Sequence, residues 1–193
     1  MCRSLIMKKQ KGFTILEIIV SISLFTMAIV ISGSMYVLSQ RTYNRGETGG
    51  ELAQNARGCL DRISRELRQS VDIITDLPPG RDDPEDPPSE EIFFQDGHDI
   101  SQITYLRYCL DGTDLKRRQL AYYFEAQPEI YVPYNSEGGG GETPEELVIE
   151  DRVVGEYFNN LNFWGSSGLV YVYLELLKSQ DTFEIQTSVF SRN

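Results

Sequence analysis

The pattern of apolar and polar positions changes character twice along the chain. From Ile18 to Leu38 there are 21 residues without one formal charge. As a helix they rise about 31 Å at about 1.5 Å per residue, roughly one hydrocarbon thickness. Arg41–Gly50 follows with Gly46, Gly49 and Gly50 inside it. Each Gly costs a helix about 1 kcal/mol against Ala, so this stretch reads as a loosened segment or hinge. Then Leu52, Ala56, Leu60, Ile63, Leu67 and Val71 recur at spacings of four and three, the apolar stripe of an amphipathic helix. Arg57, Asp61, Arg62, Arg65, Glu66 and Arg68 fall largely on the other side, with Asp61–Arg65 and Arg62–Glu66 at ion-pair spacing.

Past residue 71 the period shortens. Asp76–Glu91 contains five Pro and a dense run of acids, which excludes helix and central strand and predicts an exposed loop. Strands are predicted over Glu91–Asp96 and Gln102–Leu110, then a turn at Asp111-Gly112-Thr113-Asp114 and a returning strand over Arg118–Glu125. Lys116-Arg117-Arg118 is expected at the mouth of that hairpin as a charged flank. Gly138 to Gly141 lack the Lys-Ser/Thr of a phosphate-binding loop and read as a flexible connection. Leu147–Ile149, Phe158–Trp164, Leu169–Lys178 and Thr182–Ser191 complete the strands. The last three are joined as hairpins by Gly165–Gly168 and Ser179–Asp181. Trp164 and the many Tyr are expected to fill the space between sheet and amphipathic helix. The fold class is therefore α+β: a long N-terminal helix packed on an antiparallel β-sheet.

Charge sharpens this picture. The whole chain carries a formal −11, but the four basic residues before position 12 (Arg3, Lys8, Lys9, Lys11) all precede the apolar span. Setting them and Glu17 aside leaves 14 basic and 28 acidic residues beyond position 38, a net −14. A basic head, an apolar span and an acidic body predict a cytoplasmic N-terminus and an exported body. The acidity argues against nucleic acid as a partner, since phosphate recognition runs on Lys and Arg. His98 is the single histidine, so every His-based zinc site, triad or dyad would have to use it, and no nucleophile–base constellation is visible. No enzymatic activity is expected. Asp82, Asp83, Glu85 and Asp86 supply the oxygen ligands that Ca²⁺ prefers, but at no EF-hand spacing; a solvated loop is the simpler reading. Cys59 on the helix and Cys109 on a strand are either a disulfide pair in an exported domain or two thiols acting as small apolar residues.

The start of the span admits three readings: a cleaved secretory signal ending near Ser32-Gly33-Ser34, an uncleaved anchor, or something that uses Glu17. An acid at the middle of a span costs about 2.5–3.5 kcal/mol, less near the interface, so Glu17 needs a cationic partner. A cut between Gly12 and Phe13 would create one. The new α-amino group, cationic near neutral pH, would stand four residues from Glu17, on the same helical face; a neighbouring subunit's amine, shifted by about a turn, would serve too.

Lys11-Gly12-Phe13-Thr14-Ile15-Leu16-Glu17, with the apolar run after it, resembles the processing site of type IV pilins and of type II secretion pseudopilins. The resemblance covers residues 7–38. It implies cleavage after Gly12 by prepilin peptidase, N-methylation of Phe13, and a role for Glu17 in assembly. It further implies other pilins or pseudopilins and an inner-membrane assembly machinery as partners, and eventual residence in a filament. Some pseudopilins bind calcium in a loop, which is the second reason to consider Asp82–Asp86. The segments it implies are a leader over 1–12 (or from Met7), a transmembrane and filament-core helix over 13–38, a hinge and amphipathic helix over 39–71, and an exported β-rich domain over 72–193. No Pro interrupts the apolar stretch, unlike many major pilins. The long helix followed by a largely antiparallel sheet is similar to J-type minor pseudopilins and W-type minor pilins. The rival reading is a signal-anchored or secreted binding module with no filament role.

Overall fold

The computed structural model describes residues 12–98 and 102–192. One helix, α1 (Ile15–Gln69), is followed by nine strands: β1 (Asp72–Ile73), β2 (Ile92–Gln95), β3 (Tyr105–Asp111), β4 (Asp114–Phe124), β5 (Gln127–Val132), β6 (Glu145–Gly155), β7 (Phe158–Ser166), β8 (Leu169–Lys178) and β9 (Asp181–Phe190). The chain divides into two units, one ending at Gly46 and the other beginning at Glu47. The glycines of the expected hinge are all helical, because α1 continues through Arg41–Gly50 without a break.

In the unit from Glu47, the predicted stripe is the buried face of α1: Leu52, Ala56, Leu60, Ile63 and Leu67, joined by Cys59. Val71 does not extend it. The helix ends at Gln69, the buried Ser70 turns its N–H and hydroxyl onto Leu67 O at 3.2 and 2.7 Å, and Val71 is exposed on the way into β1. The loop Asp96–Gly97 passes close over this terminus. A Cβ on Gly97 would stand 2.0 Å from the Gln69 carbonyl oxygen, so only glycine fits.

The strands form two antiparallel sheets instead of the single sheet expected. Five strands follow the order β1-β2-β3-β4-β5, and β6 lies along the other side of β4. The second sheet is β7-β8-β9. Ser89 and Phe163 exchange backbone bonds at 2.9 and 2.8 Å, linking the acidic loop to β7. The stripe of α1 shares one core with both sheets. Ile92, Phe94, Leu106, Tyr108 and Leu115 come from the first; Phe158, Leu161, Phe163, Val170, Val172, Leu174, Leu176 and Val189 come from the second. On the first sheet's other face Phe93, Tyr105 and Leu120 form a smaller cluster with Tyr122. Tyr134 covers it, donating its N–H to Tyr105 Oη at 3.1 Å and meeting three rings edge-on.

The turn at Gly112-Thr113 forms as predicted, with Asp111 opposite Asp114 and Gly112 at φ 65°. Its returning strand starts earlier than expected, at Asp114, so Lys116, Arg117 and Arg118 lie inside β4, flanked by β3 and β6. The shared core generates a stability prediction. Ile63→Ala, at a fully buried position on α1, should cost about 2–5 kcal/mol, whereas Val148→Ala on the exposed part of β6 should stay within about 0.5 kcal/mol. Denaturant unfolding of the full chain in neutral detergent measures both; equal effects would contradict this packing.

Candidate functional site

The candidate processing junction lies in the unit that ends at Gly46. Gly12, Phe13 and Thr14 precede α1 and are exposed. Thr14 is the N-cap: Ile18 N–H donates to its carbonyl at 3.2 Å and Glu17 N–H to its Oγ1 at 3.3 Å. Thr14-Ile15-Leu16-Glu17 has the spacing of a capping box, so the helix start is also marked in the sequence. Phe13 stands before the helix in the unprocessed chain. Glu17 sits in the first turn, where a negative charge also complements the helix dipole.

Downstream, the apolar side chains are exposed all round: Leu16, Ile19, Leu24, Phe25, Met27, Val30, Met35 and Leu38 are among them. The helix is long and apolar enough to cross a membrane. Its hydroxyls turn back on its own carbonyls, Ser21 on Glu17, Ser23 on Ile19, Thr26 on Ile22 and Ser34 on Ile31, at 2.7–3.0 Å. That leaves Glu17 as the polar side chain of this stretch for which a partner from outside the helix matters most.

In the unit from Glu47, the basic cluster is consumed by the chain's own acids. Lys116 pairs with Asp111 at 2.5 Å and Arg118 with Asp151 at 3.0 Å. Arg117, 8% exposed, reaches Glu66 Oε1 at 3.0 Å and Glu150 Oε2 at 2.5 Å. Tyr108 donates to Glu66 Oε2 at 2.5 Å; burial first, and then the Glu66 carboxylate, push its phenol far above the ordinary tyrosine range. Glu66 is thus tied to β3 and β4 rather than to Arg62, and among the described residues no ion pair joins Asp61 to Arg65. Helical spacing could not reveal this network, because its members are 42 and 51 residues apart.

The remaining candidates are also placed. Among the described residues no three His, Cys, Asp or Glu side chains gather in a way that would hold a metal ion. Asp82, Asp83, Glu85 and Asp86 are exposed, and Asp83 Oδ1 accepts the Glu85 N–H at 3.0 Å. Arg81 in the same loop lies 4.0 Å above the Tyr173 ring and 5.7 Å from that of Trp164. His98, half a loop away from any strand, faces Asp96 at 3.4 Å. Cys59 and Cys109 are free thiols, so the candidate disulfide is not formed in this structure. Cys59 Sγ points to Val154 O at 3.3 Å and Asn55 Oδ1 at 3.7 Å, beside Gly155, whereas Cys109 lines a separate cleft with Glu90, Glu91 and Asn160. A Cβ on Gly155 would meet Cys59 Sγ at 2.5 Å, which explains the glycine there.

Residues 7–33 match the family described as the prokaryotic N-terminal methylation motif. That match spans Lys8, Lys9 and Lys11, the Gly12–Phe13 junction, Glu17 and most of the apolar run, and it supports the type IV pilin and pseudopilin family. The motif suggests a pilin-like structural subunit processed by prepilin peptidase. No curated protein and no solved structure matches the chain.

The thiols give the prediction of this site. Burial pushes the Cys59 thiol up to about 11. At pH 8 its thiolate fraction falls about 100-fold below that of a free cysteine, and alkylation by iodoacetamide should slow accordingly until denaturant is added. Rapid alkylation of native Cys59, or an intact mass lacking one hydrogen per thiol without reductant, would contradict the arrangement.

Proposed function

We propose that the chain is a minor pilin-like structural subunit. Prepilin peptidase would cut it after Gly12 and methylate Phe13, and inner-membrane machinery would assemble it with other pilins or pseudopilins into a type IV pilus or a type II secretion pseudopilus. Residues 1–12, or those from Met7, are the leader, 13–38 the membrane and filament-core segment, 39–71 the remainder of the long helix with its connection, and 72–193 the exported domain. The N-terminus faces the cytoplasm before processing and the domain lies outside it. The long helix followed by antiparallel strands is similar to J-type minor pseudopilins and W-type minor pilins.

The observation that carries this reading is the contrast within α1. Its first part exposes apolar side chains on all sides and holds one acid in its first turn, while Leu52–Leu67 are seated in a β-rich core. An apolar surface of that kind is satisfied by lipid before assembly and by other helices after it. Processing supplies the missing cation. The new amine of Phe13 on a neighbouring subunit would meet Glu17, and the pair sets the register of one subunit against the next. Removing either member leaves the other charge buried and unpaired, at a cost of about 3–5 kcal/mol. No catalytic group, cofactor or nucleic acid enters this scheme.

Glu17→Ala and Glu17→Gln test it, with peptidase processing and filament incorporation measured on the same cells. Both variants should be cut as the wild type is and should be lost from sheared or purified filaments by at least about tenfold. Normal incorporation would overturn the role of Glu17. A chain that is cut nowhere and is found only in the membrane would favour a signal-anchored binding module.

A further inference from the structure

A sheet edge is a row of unpaired backbone N–H and C=O groups, and folded proteins blunt it with charge, bulges, Pro or a covering segment. The three-stranded sheet treats its two edges differently. On the β7 side the acidic loop closes the edge: Ser89 and Phe163 exchange both bonds, and Gly165 N–H donates to Pro78 O at 2.8 Å. On the β9 side nothing does so among the described residues, where β8 is the one strand that pairs with β9. β9 runs for ten residues in unbroken one-to-one register and contains no Pro, Lys or Arg. In the other sheet the long outer strand β6 is protected, since it has two register shifts and carries Glu145, Glu146, Glu150, Asp151 and Arg152.

The ladder's alternation fixes which groups face the open side. Ser191 N–H donates to Gly168 O at 2.9 Å, so the odd-numbered residues of β9 turn their backbone groups toward β8. Leu177 N–H, directed away from β9 to Tyr157 O, has the matching phase. Thr182, Glu184, Gln186, Ser188 and Phe190 therefore present their N–H and C=O groups outward. On the core side Phe183 and Ile185 are only partly covered. On the outer side Glu184 stands directly opposite Glu175 on β8, a like-charge cross-strand pair, and Phe190 is 71% exposed.

We propose that the open edge of β9 is the docking site for an extended segment of another protein, added as a fourth strand. The segment's chemistry follows from the edge: apolar residues at alternate positions to complete the cover of Phe183 and Ile185, and Lys or Arg between them to face Glu184, whose like-charge neighbour Glu175 adds to the negative field. Charge selects against a second copy. Each body carries −14, and the chain's own basic strand segment, Lys116–Arg118, is enclosed between β3 and β6. The inference rests on the β-rich domain alone and does not depend on processing at Gly12.

The test uses the full chain in neutral detergent. The probes are a fluorescent eight-residue peptide alternating Lys with Val and Ile, and its counterpart with Glu in place of Lys. The Lys probe should bind at least about tenfold more tightly than the Glu probe, and it should slow hydrogen exchange at the amides of Thr182, Glu184, Gln186, Ser188 and Phe190. Gln186→Pro removes an outward N–H without touching the bonds to β8, and should lower binding by about tenfold with the melting temperature kept. Should that variant fail to fold, Glu184→Lys serves in its place, weakening the Lys probe and strengthening the Glu probe. Absence of Lys-probe binding, equal binding by a folded Gln186→Pro variant, exchange slowed at other strands instead, or self-association through β9 would each overturn the proposal.

Discussion

The apolar stripe from Leu52 to Leu67 is the surface on which both sheets depend. Neither sheet buries its inner face against the other alone: Phe94, Leu106 and Tyr108 of one, and Leu161, Phe163, Val172 and Leu174 of the other, join in a single core through the helix. Without that stripe a three-stranded sheet and an open six-stranded sheet would each expose large apolar side chains. The glycines at the closest approaches follow from the same constraint. Gly97 lies against the last turn of α1 and Gly155 against Cys59, and in each case a side chain would enter occupied space.

Because the stripe belongs to a helix that also runs back through the apolar segment, one element serves two environments. Its composition changes to match. Before Leu38 the one acid is Glu17 and four hydroxyls bond to the helix's own carbonyls, and after Glu47 charged residues cover the side away from the core. The acidic body spends several of its cations internally. Arg117 holds Glu66 and Glu150, Lys116 holds Asp111, Arg118 holds Asp151 and Lys178 holds Glu51. The one charged side chain among the outward-facing residues Thr182 to Phe190 of β9 is Glu184, which is why a basic partner suits that surface.

The elements with an unbroken period were legible in the sequence. The stripe of α1 showed its spacing of three and four, and β8 its alternation through Val170, Val172, Leu174 and Leu176, so the α+β class followed. The rest was carried by contacts that no local window contains. Strand β1 has two residues, and β5 includes Pro128 and is mostly exposed, so neither leaves an apolar alternation to detect. The division into two sheets depends on which strands pair, and periodicity is silent about pairing. In sequence Arg117 reads as a hairpin flank, because nothing local marks β4 as starting before Arg118; its burial depends on Glu66 arriving from the helix. The junction around Gly12 was legible for a different reason. Its chemistry is written in consecutive residues, and the match over residues 7–33 follows that same run. The helix start was less so, since the cap at Thr14 rests on a hydroxyl that a reading by charge does not weigh.

The account turns on the chemical state of the N-terminus, because the amine that Glu17 needs exists only if the chain is cut. Intact mass and N-terminal sequencing of the protein from its native membrane, with and without prepilin peptidase, address that directly. The account predicts a peptidase-dependent chain that begins at N-methylated Phe13. A chain that retains Lys11-Gly12, or that begins at Met35, would contradict it.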